Sequence, residues 1–136
     1  MTVNSKGFSL IELLLALMVM GLLGSLVMPN FGVVHDAAKT QVLKSIGHTS
    51  QMSLETYFLL NGAYPKTSQD NSAFFSTLKT AGVLKQLPKN PFTGAVYSTT
   101  ETSGKVSYQY TASTQSYVLT IYGSENKSGV VVLSSN

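Results

Sequence analysis

Glu12 is the single ionisable side chain in a run of 21 residues, Phe8 to Met28, that is otherwise dominated by Leu, Met, Val, Ala and Gly. A carboxylate in that setting either snorkels to a polar surface or meets a cation held in the same apolar surroundings. Left unpaired at the centre of a membrane it costs about 2.5–3.5 kcal/mol, and less near an edge. Other residues with chemistry to offer are sparse. His35 and His48 are far apart and share no ligand-like spacing, and Asp36 and Asp70 are the only aspartates. There is no Gly-rich phosphate loop, no nucleophile elbow and no pair of carboxylates set for acid–base work. The chain has no Cys, which removes disulfides and thiolate metal sites. The expectation is a protein with no catalytic residues, no metal and no cofactor.

The elements that hold Glu12 follow from length and composition. The chain has 136 residues, room for one domain of ordinary size. Only 11% of residues are charged, against about a quarter in an average soluble domain. The net charge of +3 comes from scattered lysines with no arginine, too little to suggest a nucleic-acid partner. As a helix, the run from Phe8 to Met28 would be roughly 31 Å long, the thickness of a hydrocarbon core. A chain this small could hardly enclose such a helix on all sides. A cleavable secretory signal fits less well, because Lys6 gives a poor charged region and no A-x-A site follows. Lysines on the two sides do not decide its orientation.

Gly21, Gly24 and Pro29 punctuate the end of the run. From Asn30 to about Leu60 the pattern is amphipathic and helical, with Phe31, Val34, Ala38, Val42, Ile46, Met52, Tyr57 and Leu60 at mostly three- and four-residue steps. Asn61-Gly62 stops it, with Pro65 beyond. The two segments together predict one helix of about fifty residues and roughly 80 Å, whose amino half must be buried in lipid or in neighbouring subunits. Residues 61–94 form a connecting region. Asp70, Asn71 or Ser72 would cap a short helix through Ala81, with Phe74, Leu78 and Ala81 facing inward and Gly82 ending it. Residues 95–136 read as strands: Val106 to Tyr110, Tyr117 to Tyr122 and Val130 to Leu133. Three or four antiparallel strands laid on the carboxyl half of the long helix give an α+β fold, with the tyrosines as cross-strand packing.

The segment Lys6-Gly7-Phe8-Ser9-Leu10-Ile11-Glu12-Leu13 resembles the processing motif of type IV prepilins and type II secretion pseudopilins. The resemblance implies a leader, residues 1–7, cut by a prepilin peptidase between Gly7 and Phe8, and N-methylation of Phe8. It implies a membrane-spanning and filament-core helix at 8–28, its amphipathic continuation at 29–60, and a type IV pilin-like fold. In an assembled filament the Glu12 carboxylate would pair with the Phe8 amine of a neighbour, and the helix would loosen over Gly21, Gly24 and Pro29. Asn61-Gly62-x-Tyr64-Pro65 and Leu87-Pro88-Lys89-Asn90-Pro91-Phe92 resemble the matching region of major pseudopilins and related Cys-free pilins. Major pseudopilins carry a calcium loop near the carboxyl end. The corresponding Ser124-Glu125-Asn126-Lys127-Ser128 has one carboxylate and a lysine, a poor set of hard oxygen ligands.

The implied function is structural: a subunit of a type IV pilus-like filament, self-assembling, with the prepilin peptidase, an inner-membrane assembly platform and the lipid bilayer as partners. It would rest as a single-pass inner-membrane protein and then enter a surface pilus or a periplasmic pseudopilus. Two alternatives stand beside it: the major pseudopilin of a type II secretion system, and a single-pass membrane protein with a periplasmic binding module.

Overall fold

The computed structural model describes residues 7–27, 31–124 and 129–135. The leader residues 1–6, Pro29 and residues 125–128 of the segment that corresponds to the calcium loop of major pseudopilins lie outside them. The chain divides into two units, Met1–Asp36 and Ala37–Asn136.

In the first unit, helix α1 covers Leu10–Val27 and is apolar on every side except at Glu12 and at Ser25, whose hydroxyl donates to the Leu22 carbonyl. Every side chain from Phe8 to Leu26 is exposed. Gly21 and Gly24 remain helical; at about 1 kcal/mol each relative to Ala, they do not outweigh the leucines and methionines around them. The 18 residues of α1 span roughly 27 Å, a little under the ~30 Å of a hydrocarbon core. Among the described residues no helix is long and apolar enough to cross a membrane. The 21-residue apolar run extends beyond α1 at both ends.

Helix α2 covers Phe31–Asn61, and its residues from Ala37 onward belong to the second unit. It stops where Asn61-Gly62 predicts, with the Gly62 N–H bonded to the Phe58 carbonyl at 2.7 Å. Its buried stripe is not the expected one. Leu43, Ile46, Gly47, Ser50, Ser53 and Leu54 face inward, whereas Ala38, Val42, Met52 and Leu60 are exposed. Of the stripe expected from spacing, Ile46 is buried and Tyr57 half-buried. The reason is that small and hydroxylated residues can line a buried helix face. The Ser50 and Ser53 hydroxyls donate to the carbonyls of Ile46 and Thr49 at 2.8 and 2.9 Å, so neither is left unsatisfied. Gly47 lets the backbone approach the sheet: a Cβ there would lie 2.9 Å from Ile121 Cδ1.

The sheet has four antiparallel strands in the order β1-β2-β3-β4. They are β1 Gln69–Asp70, β2 Val106–Thr111, β3 Ser116–Ile121 and β4 Val131–Ser134. Three strands thus come from residues 95–136, and the fourth is a two-residue strand from the connecting region. Tyr117, Leu119 and Ile121 of β3 alternate inward and join Val106 and Tyr108 of β2 and Leu43, Ile46 and Leu54 of α2 in one core. Helix α3, Asn71–Thr80, adds Phe74, Phe75 and Leu78. Asp70 precedes α3 but makes no side-chain cap; Ala81, just past the end of the helix, is exposed, and Phe75 is buried beside Phe74 and Leu78. The tyrosines are packing residues: the Phe74 ring stacks on Tyr108 at 5.3 Å, and Tyr108 and Tyr117 are 5.8 Å apart. The protein is α+β, with a helix laid on an antiparallel sheet as in the type IV pilin-like fold.

Candidate functional site

The expected site residues sit at the start of α1. Ser9 is the helix N-cap: its carbonyl accepts the Leu13 N–H at 3.3 Å and the Glu12 N–H at 3.0 Å. The Glu12 carboxylate turns back, and its Oε2 accepts the Ser9 N–H at 3.0 Å. This is half of a capping box, and its signature, Ser9-Leu10-Ile11-Glu12, is legible in the sequence. The negative charge also lies at the positive end of the helix dipole. The structure therefore bonds the Glu12 carboxylate to the backbone of Ser9, the residue next to Phe8, with the Phe8 and Glu12 side chains both exposed. Gly7, just before them, is open: a Cβ there would meet nothing within 4 Å. Gly21 and Gly24 are also surrounded by open space. The Ile11, Leu15, Ala16, Val19, Met20 and Leu23 side chains line a shallow apolar groove that runs from Glu12 along the helix.

The second unit holds its own polar clusters, which the sequence did not suggest. Glu55 of α2 accepts two tyrosine hydroxyls, Tyr64 on Oε2 at 2.9 Å and Tyr117 on Oε1 at 3.0 Å. Burial and the Glu55 carboxylate push the Tyr64 hydroxyl up to about 12. Burial, then the same carboxylate, also raise Tyr117. With both oxygens occupied by protein donors, Glu55 ties α2 to β3 and to the turn at Tyr64.

A second cluster orders the long connector. Asn90 is fully buried; its Nδ2 donates to Glu101 Oε2 and to the Ser103 carbonyl, and its Oδ1 accepts the Phe92 N–H. Gly104 has φ +71, and a Cβ there would lie 2.7 Å from Asn90 Oδ1, so only glycine fits. Buried Asn71 donates to the Glu101 carbonyl at 3.1 Å and accepts the Val106 N–H at 2.9 Å. These groups satisfy one another and leave the connector fixed.

His35 and His48 are exposed. Among the described residues no group of three or more His, Cys, Asp or Glu could hold a metal ion. The described residues thus offer one chemically unusual arrangement, a carboxylate held at the head of an exposed apolar helix.

Comparison with known proteins bears on that arrangement. Residues 3–28 match the family profile described as the prokaryotic N-terminal methylation motif. The type II secretion system core protein G of Klebsiella michiganensis is 30% identical over 100 residues, covering 67% of this chain and 70% of the relative. That of Pseudomonas aeruginosa is 32% identical over 98 residues, covering 65% and 69%. The Escherichia coli protein of the same name is 28% identical over 100 residues, covering 67% and 69%. No solved structure gives a significant match. The relatives carry the name of a secretion-system core protein rather than of an enzyme, and they favour the pseudopilin alternative over the extended pilus. The methylation motif at the amino end and this identity over most of the chain agree: the protein belongs to the type IV pilin and type II secretion pseudopilin family, among the relatives of core protein G.

Proposed function

We propose that this chain is the major pseudopilin of a type II protein secretion system, a structural subunit stored in the inner membrane and polymerised through its amino-terminal helix. The observation that carries the proposal is the Glu12 carboxylate at the head of α1, held against the Ser9 N–H with no cation beside it among the described residues. Prepilin peptidase cuts after Gly7, and the new Phe8 amine is N-methylated and remains cationic. The apolar run anchors the subunit in the bilayer until an inner-membrane assembly platform adds it to the filament. There the carboxylate of one subunit meets the amine of another. Each charge is costly alone in apolar surroundings, and the pair offsets both costs. Gly21, Gly24 and Pro29 give the helix its weakest stretch, and local melting there adjusts it to neighbours in the polymer.

Three measurements test the reading. The intact mass of the mature protein is expected to show loss of Met1 to Gly7 and one added methyl group. Glu12→Leu is expected to be processed and membrane-resident yet to assemble poorly. Removing one partner of a buried pair costs about 3–5 kcal/mol, roughly a hundredfold or more in filament yield. Wild-type polymer from Glu12→Leu overturns the pairing. An unprocessed terminus leaves only an anchored periplasmic module. Deletion scored for protein secretion, twitching and DNA uptake separates the pseudopilus from a pilus.

A further inference from the structure

The two edges of the sheet are finished differently. On the β2 side every outward amide has a partner. Tyr108 lies opposite Gln69 of β1. Beyond the ends of that short strand, side chains take over: Ser68 Oγ accepts the Tyr110 N–H at 3.0 Å, and Asn71 Oδ1 accepts the Val106 N–H at 2.9 Å. The Lys105–Asp70 ion pair at 2.7 Å guards the corner. A two-residue strand is thereby extended into a closed, charged edge.

On the β4 side nothing comparable is present among the described residues. Ser135 N–H donates to the Tyr117 carbonyl at 3.3 Å. Together with the Leu119↔Leu133 and Ile121↔Val131 register, this sets the phase of the ladder. Val131 and Leu133 exchange bonds with β3, and the amides of Val132 and Ser134 point away from it. No described residue bonds those outward groups. The strand Val131-Val132-Leu133-Ser134 has no charge and no proline, two of the usual devices that blunt an open edge. Val132 is 62% exposed.

We propose that β4 pairs with β4 of a second copy of this chain, antiparallel about a twofold axis, so that Val132 of each copy lies opposite Ser134 of the other and Leu133 opposite Leu133. An open edge is completed only by another extended backbone with free amides. Of the two edge strands, β1 has two residues and carries the Asp70–Lys105 ion pair, so β4 offers the longer, uncharged stretch and two copies of it satisfy each other. The register brings uncharged residues together, valine beside the small serine, with no like charges opposed. A twofold contact closes after two copies and does not propagate. It is therefore a lateral or storage pairing, separate from filament growth, and it does not depend on the pseudopilin reading.

The chain has no native Cys, so each introduced thiol is unique. Full-length Val132→Cys and Ser134→Cys chains are co-expressed, and their membranes are treated with a mild oxidant. Directly opposed residues of a bonded pair lie about 5.5 Å apart at Cα, within disulfide reach, whereas like residues sit on the diagonal and outside it. The mixed sample is expected to give about tenfold more linked dimer than either variant alone. A second variant, Val132→Pro, removes only an outward N–H and is tolerated on an edge strand. It is expected to leave the melting temperature near wild type and to convert the detergent-solubilised dimer to monomer by light scattering. No cross-link in the mixed sample, equal cross-linking in all three, linkage to a different protein instead, or a dimer that survives Val132→Pro each overturn the proposal. Leader removal and polymer yield, scored in the same strains, are expected to be unchanged by Val132→Pro.

Discussion

Among the described residues the amino-terminal unit has no interior, and the carboxyl-terminal unit is built around one. From Phe8 to Leu26 every side chain is exposed, including eight leucines, isoleucines and methionines more than 60% exposed. In the second unit Leu43, Leu54, Leu78, Val106, Tyr108, Tyr117, Leu119 and Ile121 are fully buried. The difference teaches where each part finds its stability. The second unit supplies its own burial. The first must find burial outside itself, in lipid or in other chains, because an exposed apolar surface of that extent is unfavourable in water. Substitutions in the two units should therefore be read by different experiments.

The largest expected contrast comes from removing a core ring. Phe74→Ala deletes a buried side chain stacked on Tyr108 and should destabilise the second unit by about 3–5 kcal/mol. Leu17→Ala in α1 should change denaturant unfolding by less than about 0.5 kcal/mol. Equal effects in urea titrations of the full chain in detergent would remove the distinction.

Alkaline pH probes the same interior through its tyrosines. Burial raises Tyr97, Tyr108 and Tyr117, and Tyr64 is pushed up to about 12. The folded state therefore holds these protons after the unfolded chain, with values near 10, has released them. Their contribution is whole below about pH 10 and is lost as pH rises through the folded values. The melting temperature should fall above about pH 10, with phenolate absorbance from these tyrosines appearing together with unfolding.

Gly47→Leu tests the close approach of α2 to the sheet. Its side chain would meet Ile121, Val131 and Leu133, and overpacking of this kind costs about 1–3 kcal/mol. Gly47→Ala should be close to neutral, since a helix-propensity gain of about 1 kcal/mol offsets the small shift of the Ile121 tip. A Gly47→Leu protein as stable as wild type would show that the contact is loose.

The smallest effect is expected at the sheet corner. Burial tends to raise the Asp70 carboxyl, but hydrogen bonds from Lys105 and Ser107 and the Lys105 charge outweigh it and hold the group below its ordinary 3.8. Its contribution is present above that value and is lost as pH falls through the lower folded one. Both side chains are substantially exposed, so Asp70→Asn should cost no more than about 1 kcal/mol. The difference from wild type should shrink in melts as pH falls below the ordinary carboxylate value.

How much was legible differed between the units for a physical reason. The first is governed by local rules. The apolar run, the lone Glu12 and the Ser9-x-x-Glu12 cap are properties of a few adjacent residues. In the second, the strands and the stop at Asn61-Gly62 were also legible, because alternation and turn chemistry act locally. The helix face was not. Spacing favoured Val42, Met52 and Leu60, but the sheet took Gly47, Ser50 and Ser53 instead, because close approach needs small side chains and the serines could satisfy themselves on their own helix. Glu55 and Glu101 gave no signal, Asn71 was legible only as a possible helix cap, and Asn90 only as part of the Leu87 to Phe92 motif. The bonds that tie them to other elements reach 9 to 62 residues along the chain.

The sequence by itself determined an apolar helix carrying one acid near its head, followed by a helix and a three-strand antiparallel region, since each follows from residues close in the chain. Only the tertiary structure decided which face of α2 is buried, how a two-residue strand and two side chains seal the outward amides of β2, and that no described residue covers the edge at β4. Those outcomes depend on which distant groups can satisfy one another's hydrogen bonds and fill one another's space.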